Sequence, residues 1–131
     1  MEKILFNLLL FVCAIAFFGC SANQQDFAHQ QNGTAYTGWI DVESCNSGLK
    51  ILAFCRNNTT QDAVLRYELK AEKTSQAGTA RTRQAGCVEI ASRQKECLSQ
   101  LGLSVSAKDH YQIELKVYKN GKLVAEDFTA Y

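Results

Sequence analysis

From Tyr36 onward the chain alternates apolar and polar residues with a period of two, the pattern of a strand with one buried face. The clearest stretch is "YQIELKVY", where Tyr111, Ile113, Leu115 and Val117 share one face and Gln112, Glu114 and Lys116 the other. "LRYELKA" repeats it with Leu65, Tyr67, Leu69 and Ala71 inward, and "LSQLGLSV" aligns Leu101, Leu103 and Val105. No segment holds a helical period over three turns. Asn120-Gly121 separates "IELKVYK" from "KLVAEDF", and both residues tolerate the positive φ of a type I′ hairpin turn. Strands are expected near 37–45, 49–56, 63–72, 79–84, 86–91, 96–105, 110–119 and 122–129. With the fourth and fifth taken as one broken strand, about seven remain. That inventory predicts an all-β fold, an immunoglobulin-like antiparallel β-sandwich over residues 36–131. Tyr111 then opens the sixth strand, either tying a corner through its hydroxyl or packing as a plain core aromatic.

The N-terminus argues for export. Lys3 precedes an apolar run from Ile4 to Phe18 broken only by Asn7, the length of a signal-peptide hydrophobic region and short for a membrane span. Residues 1–19 are read as a signal peptide. Gly19-Cys20 resembles the end of a bacterial lipobox, which would make Cys20 the lipid-bearing first residue, although Phe17 and Phe18 depart from the usual pattern. Cleavage near Ala22 and a retained anchor are the alternatives. Residues 20–35 are polar and aperiodic, a tether, and the rest suffices for one domain with one core. The formal net charge is +1, which points to no nucleic-acid partner and to no membrane contact beyond a lipid.

In an oxidising compartment, Cys45, Cys55, Cys87 and Cys97 are expected as disulfide staples. "WIDVESC-NSG-LKILAFC" reads as a hairpin with a three-residue loop and Gly48 left-handed, setting Val42 opposite Leu52 and Ile40 opposite Phe54. Cys45 then faces Leu49, and six residues of strand, ~20 Å at ~3.3 Å each, separate Leu49 from Cys55. A disulfide needs Cα atoms within about 7 Å, so Cys45–Cys55 is disfavoured. A short loop near Ala91-Ser92-Arg93 would set Cys87 opposite Cys97. The alternative is a crossed set, Cys55–Cys97 with Cys45–Cys87, and four cysteines leave three connectivities open.

Other chemistry has little support. No C-x-x-C or C-x-C occurs, which weakens a thiol-exchange role. The cysteine spacings fit no zinc ribbon or finger, and His29 and His110 read as surface residues. No Ser/His/Asp arrangement, paired acid motif or phosphate-cradling glycine loop is present. The expectation is a non-enzyme with no cofactor and no metal.

From Leu65 to the C-terminus the pattern resembles the curli-assembly chaperones of the CsgC/CsgH type. The likeness runs through "LRYELKAEKTSQAG", then "TARTRQAGCVEI", then "LSQLGLSVSAKDHYQIELKVYKNGKLVAED", where "LSxLxLxV" leads to a polar corner, a tyrosine-led strand and a tight turn. "GLKILAF" fits the family's second strand more loosely. The resemblance implies a small exported sandwich that keeps disordered curli-type amyloid subunits from polymerising in the periplasm, acting as a monomer. Some members carry a C-x-C pair where this chain has Ala63 and Leu65, so no thiol chemistry is carried over from it.

Lys70, Lys73, Arg81, Arg83, Arg93 and Lys95 fall in the middle of the chain, whereas Glu114, Glu126 and Asp127 lie in the last two strands. These cations are candidate contacts for an acidic, Gln/Asn-rich client. The competing reading is a solvated pattern that protects sheet edges. Two further function classes stand beside the chaperone: a structural or adhesive lipoprotein module, and a thiol–disulfide exchange partner.

Overall fold

The computed structural model describes residues 34–131. The proposed signal peptide, the lipidation of Cys20 and all but the end of the tether lie outside the described residues. Seven strands follow in order: β1 Tyr36–Cys45, β2 Gly48–Asn57, β3 Ala63–Ser75, β4 Gly78–Ile90, β5 Lys95–Leu103, β6 His110–Lys119 and β7 Lys122–Ala130. All pairings are antiparallel and there is no helix among the described residues. One sheet has the order β1-β2-β5, the other β4-β3-β6-β7. The two expected strands at 79–84 and 86–91 are one continuous β4, paired along its whole length with β3.

The alternation does what it should. Leu65, Leu69 and Ala71 of β3 and Ile113, Leu115 and Val117 of β6 are buried on the inner face of the four-stranded sheet. Ile51, Ala53 and Cys55 of β2 oppose them from the three-stranded sheet. Burying a side chain of the Leu/Ile/Val class stabilises by roughly 1.5–3 kcal/mol each, so this layer is the main source of stability. Asn120 and Gly121 take φ values of 51° and 76°, the left-handed pair that a type I′ turn requires. Tyr111 stacks on Tyr131 with ring centroids 5.0 Å apart, so it packs as an aromatic, with no side-chain hydrogen bond among the described residues.

The first hairpin departs from expectation by one residue. Cys45 pairs with Gly48 across a two-residue turn, which sets Val42 opposite Ile51, Ile40 opposite Ala53 and Trp39 opposite Phe54. "ILAFC" is apolar throughout, so alternation is silent there and cannot fix the register. Gly48 is not left-handed. Its requirement is space, since a Cβ there would collide with the carbonyl of Leu103 on β5.

Two bulges set which side chains face outward. Ala53 pairs with Ser99 and Phe54 with Cys97, leaving Leu98 as the extra residue, and both Leu98 and Ser99 are buried. In β7, Val117 pairs with Ala125 and Tyr118 with Leu123, leaving Val124 extra. The second bulge turns Asp127 toward β1, where its Oδ2 accepts from the Ile40 N–H at 2.8 Å.

Candidate functional site

The outer face of the four-stranded sheet is built from even-numbered residues of β3 and β6 and odd-numbered residues of β4. One row across it reads Arg83, Lys70, Glu114, Phe128, and the next Arg81, Glu72, Gln112. These residues line a trough of about 460 Å³. Its walls are Arg81 and Arg83 on one side and Phe128, 57% exposed, on the other.

The charges on this face form short pairs, two across strands and two along a strand. Arg81 Nε donates to Glu72 Oε2 at 2.7 Å. Arg83 reaches diagonally to Glu68 Oε1 at 2.6 Å, and Arg66 donates to the same oxygen at 2.9 Å. Hydrogen bonds from Arg66 and Arg83 therefore hold the Glu68 carboxyl below its ordinary range. Glu72 raises the Arg81 pKa, chiefly through its hydrogen bond, while the charge of Glu114, 3.4 Å away, leads the rise at Lys116. Lys70, at the centre of the Arg83 row, enters no ion pair among the described residues. The arginines and Glu72 are exposed, Lys116 and Glu114 are half-buried, and only the Glu68 side chain, 13% exposed, is largely covered, so the solvent-facing pairs contribute little to stability. Their effect is to orient guanidinium groups that keep donors free for another acceptor.

The structure brings together Lys70, Arg81 and Arg83 and separates the other three expected cations. Lys73 lies on the opposite face of β3 and donates to the Ser104 carbonyl at 2.7 Å. Arg93 sits in the β4–β5 loop with φ 64° and donates to the Asn58 carbonyl at 2.5 Å. Lys95 belongs to the other sheet, opposite Arg56. A single patch of six cations is therefore not formed. Phe128 was not expected in the site. An unbroken hairpin from Asn120-Gly121 would set Asp127 opposite Glu114, and only the bulge at Val124 brings Phe128 there.

The cysteines also differ from expectation, because all four are free. Cys87 pairs with Arg66 within one sheet and Cys97 with Phe54 within the other, so no hairpin sets them opposite each other. Cys45 lies beside the β1–β2 turn, at the end where β5 finishes, while Cys87 is nine residues along β4 from the β3–β4 turn at that end, ~30 Å at ~3.3 Å per residue. Cys55 and Cys97 would be cross-strand partners in an unbroken ladder. The bulge at Leu98 turns Cys97 outward while Cys55 stays in the core. Burial pushes the Cys55 thiol up to about 12, the opposite of an activated nucleophile. This arrangement offers no support for staples or for a thiol-exchange pair.

No protein-family model and no curated protein sequence matches the chain. Solved structures do. The E. coli curli protein CsgC superposes with a TM-score of 0.60 at 17% identity, over 71% of this chain and 96% of CsgC. R. palustris CsgH gives 0.56 at 18%, over 70% of this chain and 89% of CsgH. The fold is that of CsgC and CsgH. A β-glucuronidase of Bacteroides uniformis contains a similar sandwich, with a TM-score of 0.55 at 10% identity, but the match spans only 14% of that enzyme. Within the CsgC/CsgH fold, Ala63 and Leu65 of this chain are buried core residues at the start of β3.

Proposed function

We propose that the protein is an exported curli-type chaperone that delays amyloid formation by a disordered subunit through weak, transient contacts on the outer face of the four-stranded sheet. The observation that carries the reading is the likeness to CsgC and CsgH over nearly their full lengths, in contrast to the small share of the glycosidase. The trough suits such a client. Lys70, Arg81 and Arg83 attract carboxylates and accommodate carboxamides, and Phe128 offers one apolar contact at the rim. Nothing in it encloses a ligand, which agrees with encounter and release. The apolar run at 4–18 supports action in the periplasm, either free or tethered through Cys20.

The experiment is a fibrillation time course of a curli-type subunit with and without the purified protein. The lag phase should lengthen at well below one chaperone per client, with no stable complex. Absence of inhibition at every ratio would favour a structural or adhesive sandwich module instead.

A further inference from the structure

The two sheets have four edges, and they differ in how they are covered. β1 is met by β7, where Asp127 accepts from the Ile40 N–H, so neither of those edges is bare there. β5 is met by the second half of β4, where Ser99 Oγ–H donates to Gln84 Oε1. The first half of β4 is different. Every residue from Gly78 to Arg83 is exposed, and among the described residues this segment pairs only with β3.

Natural sheets blunt such an edge with proline, a bulge, brevity or a projecting charge. β4 runs for 13 residues without proline, and its register with β3 is unbroken. Arg81 and Arg83 carry the only charges on this segment, yet Glu72 and Glu68 draw both guanidinium groups back across β3, away from the open side. The backbone N–H and C=O groups of alternate residues are left facing solvent.

We propose that the Gly78–Arg83 edge of β4 receives an extended segment of a partner polypeptide as an added strand, with the partner carrying carboxylates at every second position. This rests on the reading that the protein handles an amyloid-type subunit, and it gives that subunit a docking mode. Charge selects the occupant. Antiparallel pairing with a second copy centred on Arg81, Thr82 or Arg83 sets arginine against arginine, whereas alternate carboxylates on a partner lie one strand away from Arg81 and Arg83, whose guanidinium groups keep N–H donors beyond the one that each gives to Glu72 or Glu68. The segment is short, so its few ladder bonds must offset the ordering of the incoming chain, and occupancy is brief. A chaperone strand then caps a nascent β-segment before another subunit pairs with it.

The test is residue-resolved amide hydrogen exchange on the intact protein with three synthetic peptides. One alternates threonine with glutamate. The second alternates threonine with lysine, and the third keeps the glutamates but replaces every threonine with proline, preserving charge while removing half of the backbone donors and holding φ at about −65°, away from regular strand geometry. The first peptide at saturation should slow exchange about tenfold or more at every second amide between Thr79 and Arg83, and the other two should not. Equal slowing by the proline peptide, slowing on another strand, or amides already protected without peptide would overturn strand addition. Lengthened fibrillation lag without β4 protection would reject strand addition alone. β4 protection without any effect on lag would support it and reject the chaperone reading.

Discussion

At the scale of single residues, Asn57 shows how a buried polar group earns its place. It is fully buried, its Nδ2 donates to the Gln61 and Ile90 carbonyls, and its Oδ1 accepts from the Thr59 N–H and hydroxyl. Asn57→Ala strands several of these partners and should cost at least about 1–3 kcal/mol, read as a lower urea midpoint with an unchanged slope. The thiols give a second residue-level prediction. Brief alkylation of the folded protein at pH 8, mapped by peptide, should modify Cys45, Cys87 and Cys97 and spare Cys55 until denaturant is added. Rapid labelling of Cys55 would mean that the core is open. Glu68, which holds Arg83 at the trough wall, gives a third, through acid. Its carboxyl is held below the ordinary value by Arg66 and Arg83, so its contribution is present above the unfolded value, near 4.5, and is lost as pH falls through the folded one. Replacing both arginines with glutamine should move the Glu68 titration upward, observable by carboxyl NMR.

At the scale of elements, the sequence was legible wherever the two faces of a strand differ in polarity. β3 and β6 alternate strictly and their inner faces emerged as expected, as did the Asn120-Gly121 turn. Legibility failed where the pattern is degenerate or interrupted. The apolar run of β2 hid a one-residue slip, and the bulges at Leu98 and Val124 exchanged faces with no marker in composition. The trough inherits this difference: Lys70, Arg81 and Arg83 follow from alternation, whereas Phe128 depends on a bulge. Gly48 tests the hairpin directly. Gly48→Ala drives a Cβ into the Leu103 carbonyl and should destabilise by about 1–3 kcal/mol. Gly102→Ala, with open space around its Cβ, should cost much less in the same denaturation series.

At the scale of the whole molecule, a two-sheet core presents one charged outer face, and the proposed function places client contact on that face. Leu115→Ala, at the centre of the core, should cost about 2–5 kcal/mol by urea denaturation. Arg81→Glu with Arg83→Glu reverses one wall of the trough, whereas Lys95→Glu changes a charge on the other sheet. Charges farther apart than about 8 Å are largely screened at physiological ionic strength, so added salt should act in the same direction as the double variant. The decisive measurement is the fibrillation lag of a curli-type subunit with each protein at equal, substoichiometric concentration, alongside salt-only controls and circular dichroism of each variant. The folded double variant should lose most of the lag extension, and Lys95→Glu should keep it. An unchanged lag extension with the folded double variant and in high salt would reject the outer face as the working surface.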